Sequence, residues 1–290
     1  MKSGHSQNIL IRQTMDKAMK NLFLLATLFA LLVLAILIYQ VVTQGAGWLD
    51  WNFLTGKLSL NPDRAGILGV IVGTVLLMLV VGPVTMLLGV CTAIYLEEYA
   101  KKSKFHAFIQ VNISNLAGVP SVIFGLLGLA VFSRGLNLGS SILAGGLTMS
   151  LLVLPIVVVA SQEAIRAVPQ FLREASFGMG ATKWQTVRRV VLPAALPGIL
   201  TGFILSLSRA IGETAPLVVL GIPVLIMPIP NSLMSDFTAL PIQIYYWTLD
   251  TVLVQEYANL AAATIIVLLV VLFAMNSLAI FIRNKYQKRY

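Results

Sequence analysis

Six stretches of this chain run for 19 to 32 residues without one Asp, Glu, Lys or Arg: 22–42, 65–96, 105–133, 135–162, 190–208 and 257–282. A helix of about 20 apolar residues crosses the roughly 30 Å hydrocarbon core of a bilayer, and each stretch meets or nearly meets that length. Only 11% of the residues are charged, against about 25% in ordinary soluble domains. That is too little charge to clothe a water-soluble sphere, so a disordered chain, a disulfide scaffold and an ordinary cytosolic enzyme are disfavoured. The expectation is an all-α integral membrane protein with six transmembrane helices, the second kinked near Gly82-Pro83.

A seventh charge-free stretch, 214–235, holds Pro216, Pro223, Pro228 and Pro230. Proline removes a backbone donor and clashes with the preceding turn, so this stretch is not read as a regular span. Parity agrees. The N-terminal segment carries Lys2, Arg12, Lys17 and Lys20, and the C-terminal one Arg283, Lys285, Lys288 and Arg289. Positive charge stays on the cytoplasmic side, so both termini are expected there and the number of crossings is even.

The expected order is a cytoplasmic tail at 1–21, a first helix at 22–42 and an external loop at 43–64. A core at 67–280 follows, with spans near 65–96, 105–133, 135–162, 190–215 and 257–282, then a cytoplasmic tail at 283–290. This places sixteen of the 20 basic residues inside and leaves Lys57, Arg64, Arg134 and Arg209 outside. Residues 214–256 become a Pro-rich external connection, looped or re-entrant. The net charge of +9 then reports orientation and contact with anionic lipid, and calls for no nucleic-acid partner.

Catalytic and metal-binding patterns are missing from the sequence. The single Gly-Lys pair, Gly56-Lys57, has Trp51 where a phosphate-cradling loop needs its first glycine. There is no Gly-x-Ser-x-Gly elbow and no His-Glu-x-x-His. Cys91 is the lone cysteine, and His5 and His106 lack ligand spacing. No cleavable signal peptide is evident. The chain reads as no enzyme, with no metal; any nucleotide chemistry belongs to another polypeptide.

The informative segment is the polar loop 163–189 between the fourth and fifth spans. It reads as a short helix around Glu174-Ala175-Ser176, a break at Gly178-Met179-Gly180, and a second helix over 182–192. Phe177, Ala181, Trp184 and Val187 recur at spacings of four and three, so one side is expected to be apolar. Such an Arg-rich helix lies on lipid or docks into a partner's groove.

Glu174-Ala175-Ser176, then Gly180, then nine residues to Val190-Val191-Leu192-Pro193, resembles the signature loop of the permease subunits of binding-protein-dependent ABC importers. That family has Glu-Ala-Ala and Ile-x-Leu-Pro; here Ser176 and Val190 replace one Ala and the Ile. The resemblance runs from about residue 67 to 280 and implies the type I importer-permease fold. It implies that Glu174, Ala175, Gly180, Thr182, Trp184, Leu192 and Pro193 form the coupling contact with a separate cytoplasmic ATPase. A narrower likeness, to the A-type permeases of phosphate importers, rests on Gly118-Val-Pro-Ser121-Val-Ile-Phe-Gly125, on Leu154-Pro-Ile156, and on Ser208-Arg-Ala-Ile-Gly-Glu213-Thr-Ala-Pro216. It also rests on the run from Lys183 to Pro193. It implies a bacterial inner-membrane location and four partners beyond the bilayer itself. These are a related C-type permease, two ATP-binding subunits and an extracytoplasmic phosphate-binding protein. No cofactor is implied on this chain, ATP being used by the ATPase.

Arg209 and Glu213 are one helical turn apart and face the same way. Counted from Pro193 at about 1.5 Å per residue, Arg209 falls near 24 Å along the crossing, in its outer third. An ionisable side chain at that depth faces protein or water rather than lipid. A guanidinium matches an oxyanion through paired donors, so the two are candidates for an anion path. The alternative is a self-neutralising pair at a helix end. Arg134 marks topology, and Glu97 and Glu98, between Tyr95 and Tyr99, read as the end of a span anchored at the interface, with no ligand role. Tyr245, Tyr246 and Trp247 anchor or pack the external connection. Competing functions are a permease for sulfate, molybdate or another oxyanion, and a membrane assembly protein without transport activity.

Overall fold

The computed structural model describes residues 3–223 and 228–286. Lys2 and the tail residues 287–290, read above as cytoplasmic, lie outside them. The chain begins with a long helix α1 (Ser3–Gly45) and a short α2 (Trp51–Thr55). Helix α3 (Leu68–Ile94) continues through a π-helical turn at Tyr95–Tyr99. Then come α4 (Lys104–Leu116) and α5 (Ser121–Gly128), the latter prolonged by a π turn at Leu129–Gly135. Helix α6 (Ile142–Arg166) leads to α7 (Gln170–Gly178). A single rod follows: α8 (Lys183–Thr186), a π turn at Val187–Val191 and α9 (Leu192–Gly212). The chain closes with α10 (Ala215–Val219), α11 (Leu240–Asp250) and α12 (Glu256–Tyr286). Among the described residues no strand forms; Ser141 and Asp236 make one isolated bridge.

Five of these helices are long and apolar enough to cross a membrane, and a sixth span exists if one bent pair is counted together. That pair is α4 and α5, where one straight span over 105–133 was expected; the two halves meet at 102°. Gly118 and Pro120 sit in the break. Proline disfavours helical geometry in the residue before it and cannot donate to a helical ladder, so the chain turns there. Pro83, by contrast, lies inside α3 without ending it.

Helix α6 is the centre of the bundle: 67% of its apolar window is buried, against 50% for α3 and none for α1. Small residues let its neighbours approach, the usual device where lipid supplies no hydrophobic drive. A Cβ built on Gly198 of α9 would lie 2.8 Å from the Ala164 side chain, and one on Gly202 would overlap Ala160. Gly89 of α3 packs in the same way on Val157. The Pro-rich stretch is neither a span nor a loose external loop. Gly125 of α5 admits the backbone of Pro216 in α10, and Leu217, Phe237, Leu240 and Ile242 are fully buried in the core. Trp247 stacks against Tyr257 with centroids 6.4 Å apart and is buried, while Tyr245 is exposed.

Candidate functional site

The loop between α6 and α9 is built by local rules. Helix α7 ends at Gly178, and Gly180 takes φ +79°, a left-handed conformation that costs other residues about 1–2 kcal/mol. Thr182 then opens α8 with a capping box. Its hydroxyl accepts from the Gln185 N–H at 3.3 Å, while the Gln185 side chain accepts from the Thr182 N–H at 2.8 Å. Across the turn Ser176 and Thr186 hydroxyls bond at 2.9 Å.

The rod does not break where α8 gives way to the apolar span. Pro193 cannot donate to the carbonyl a turn earlier. The π turn at Val187–Val191 re-spaces the ladder just before it, and the helix runs on from Lys183 to Gly212. The loop helix expected over 182–192 and the span expected from 190 are therefore one continuous element. The expected common apolar side is also corrected. Gly180 interrupts the helix between Phe177 and Trp184, so the four residues share no face. Val187 is 1% exposed and Trp184 57%.

The loop presents large apolar side chains outward among its charged ones. Phe171, Phe177, Met179 and Trp184 are all exposed, Met179 at 88%. Glu174, Ala175 and Gly180 are exposed beside them, and the Glu174 side chain has no hydrogen-bond partner among the described residues. A groove of about 430 Å³ runs between α7 and the start of α9, lined by Leu172, Ala175, Met179, Val190 and Ala194, with Arg189. Leu192 and Pro193 lie half-buried at the base of the rod.

The loop is held to the bundle by charges whose partners sequence reasoning did not find. Arg173 donates to Glu98 Oε1 from Nε and Nη2 at 3.1 and 2.9 Å. It also donates to the carbonyls of Val168 and Ile165 at 2.7 and 2.9 Å. Arg166 reaches Glu97 through two bonds of 2.8 and 2.7 Å and Glu163 at 2.9 Å. The buried Gln162 also donates to Glu97, at 2.8 Å, and exchanges amide bonds with Gln110. Lys183 Nζ sits 5.1 Å from the centroid of the Tyr99 ring, within cation–π range. Glu97 and Glu98 are thus structural acceptors rather than the bare end of a span.

Arg209 and Glu213 lie at the other end of the same rod. Twenty residues separate Arg189 from Arg209, about 30 Å of helix, which is the thickness of the hydrocarbon core. Arg209 Nε donates to Glu213 Oε1 at 3.1 Å, and the side chains are 50% and 19% exposed. Among the described residues this is the one hydrogen bond the Arg209 side chain makes, so its two terminal nitrogens stay open. Thr201, Leu205, Arg209 and Gly212 are all exposed and recur at helical spacing, forming one stripe along α9. Beside it Ser208 donates to Asn276 of α12 at 2.7 Å. Arg134 is exposed on the π turn after α5, away from any ion pair among the described residues.

Residues 85–286 match the family of binding-protein-dependent transport system inner membrane components. The chain is 34% identical over 215 residues to the phosphate transport system permease protein PstA 1 of Mycobacterium tuberculosis (strain ATCC 25618 / H37Rv), covering 72% of this chain and 69% of that one. A second relative, PstA of Yersinia pestis, is 30% identical over 268 residues, 89% of this chain and 87% of its own. The probable ABC transporter permease protein YqgI of Bacillus subtilis (strain 168) is 32% identical over 206 residues, 71% and 70% of the two chains. Among solved structures, the MetNI methionine ABC transporter in inward-facing form superposes with a TM-score of 0.59 at 18% identity, over 74% of this chain and 94% of that one. That likeness concerns the fold, the type I importer-permease arrangement. With helices of membrane-spanning length and apolarity in this order, and a family match over most of its length, the chain is a multi-pass membrane protein and belongs to the inner-membrane components of binding-protein-dependent transport systems.

Proposed function

We propose that this chain is one of two permease subunits of an ATP-driven importer for inorganic phosphate. A related C-type permease would complete the membrane path, two copies of a separate ATPase would drive it, and an extracytoplasmic binding protein would deliver the anion. Both termini and the α7–α8 loop face the cytoplasm in this reading, in line with the positive charge on those segments. The observation that carries the phosphate assignment is the run of relatives named as phosphate permeases at 30–36% identity.

The geometry supports both ends of the mechanism. Exposed Met179, Trp184 and Phe171 around a Glu174 whose side chain is unpaired among the described residues suit a docking contact with a motor protein rather than with water. The rod from Lys183 to Gly212 offers a stiff route from that contact to Arg209. A stripe holding an arginine at membrane depth does not face lipid, so it faces the second permease and the path between them. There Arg209, with two open nitrogens, would meet a tetrahedral oxyanion through paired donors. Glu213 would hold the guanidinium in place between anions, and a site this exposed releases as readily as it binds.

The test is uptake of labelled phosphate by the whole complex in proteoliposomes. Arg209→Gln should leave assembly intact and abolish uptake. Arg209→Lys keeps the charge and loses the fork; one charge-assisted hydrogen bond is about 1.5–3 kcal/mol, so uptake should fall roughly ten- to a hundredfold. Unchanged uptake in Arg209→Gln would remove the residue from the path. Excess sulfate or molybdate should not compete; competition by either would move the assignment to that oxyanion.

A further inference from the structure

Two carboxylates on one π turn grip both sides of the corner between α6 and α7. Glu97 takes Arg166 and Gln162 on the α6 side, and Glu98 takes Arg173 on the α7 side. The second grip is well shielded, with the side chains of Arg173 and Glu98 only 13% and 11% exposed. Arg173 also donates to the carbonyls of Ile165 and Val168, at and just past the end of α6. One guanidinium therefore fastens α3, α6 and α7 together. Taking two charges out of water is costly, and an apolar contact of the same size would serve stability as well or better. What an apolar contact lacks is direction: a guanidinium fixed at once to one carboxylate oxygen and two carbonyls resists sliding as well as separation.

The opposite joint of α7 is built differently. Between α7 and α8 stand Met179 and a left-handed Gly180; backbone bonds from Gly180 to Phe177 and from Ala181 to Ser176 close the turn, and the Ser176–Thr186 side-chain bond crosses it. Helix α7 is thus tied to α3 by an ion pair and to α6 by hydrogen bonds on one side, while among the described residues no ion pair ties it to the α8–α9 rod on the other. We infer that the Glu98–Arg173 pair is the positioning latch that carries movement of α7 into α3 and α6, so that these helices follow the loop when a motor displaces it. This inference rests on the proposal that α7 is the motor contact. It predicts a division of labour in which α3 and α6 move with α7 as one body, while α9 turns about the Gly180 joint.

The experiment measures phosphate transported per ATP hydrolysed by the full complex in proteoliposomes. Glu98→Gln and Arg173→Gln should assemble and hydrolyse ATP, while phosphate per ATP falls about 2- to 30-fold, the span of coupling changes seen for residues remote from both ligands. A second measurement removes any ambiguity from misfolding. In a Cys91→Ser background, Glu98→Cys combined with Arg173→Cys is bridged by a short bifunctional thiosulfonate. Phosphate per ATP should rise when the bridge forms and fall again when it is reduced. A ratio that stays at the unsubstituted value in the single variants, or does not respond to the bridge, overturns the latch. Glu174→Lys serves as the control for the underlying proposal. If it retains the ATPase and transports normally, α7 is not the motor contact. If it loses the ATPase while Glu98→Gln keeps normal coupling, only the latch fails.

Discussion

Gly180 shows how much a single residue decides in this protein. A Cβ there would meet nothing within 4 Å, so its constraint is the φ of +79° alone. Asn tolerates that conformation and β-branched residues do not. Gly180→Asn should keep most phosphate uptake, whereas Gly180→Val should lose it together with the bound ATPase; co-purification from detergent checks both. The glycine itself is legible in the sequence as part of a spaced motif, and so is the Thr182 cap with Gln185 three residues on. Glu97 and Glu98 are not. Their arginines lie 69 and 75 positions away, and no local period links residues so distant. The clue available was that two adjacent carboxylates at the end of an apolar span require partners, and that the loop at 163–189 holds unassigned arginines.

Among helices, close packing is the property that spacing alone reads imperfectly. Gly69 and Gly73 stand at the usual four-residue interval in α3, yet only Gly73 is pressed. A Cβ on Gly73 would overlap the Thr238 carbonyl, while on Gly69 its nearest neighbour would be the Ile229 side chain at 3.9 Å. Gly73→Ala should therefore destabilise by about 1–3 kcal/mol through overpacking, and Gly69→Ala should stay within about 0.5 kcal/mol of the parent. Thermal unfolding of the purified complex in detergent separates them. The charge-free runs locate the long helices well, because the bilayer fixes their length. The 102° turn between α4 and α5 escaped because apolarity counts composition and not direction. Gly118 and Pro120 were its local signal. The burial of Leu217 and Leu220 was hidden for the converse reason: prolines mark 214–235 as irregular, but irregular backbone also enters a membrane protein where surrounding helices enclose it.

The molecule as a whole divides into an inner and an outer layer. Helix α6 is embedded, α9 presents an exposed stripe containing Arg209, and α1 and α12 bury almost none of their apolar windows within this chain. In the proposed complex the outer layer faces lipid, and the stripe, with an arginine in it, faces the second permease. The proposed function has this chain convert the work of a separate ATPase, taken up at α7, into passage of phosphate past Arg209. Its most direct test is ATP-driven accumulation of labelled phosphate in proteoliposomes holding the purified complex, compared with a complex carrying Glu174→Lys in this chain. The prediction is accumulation that requires ATP and the binding protein, and that disappears with its ATPase in the variant. Accumulation by the variant at the parent's rate, or no ATP dependence in the parent, would contradict it.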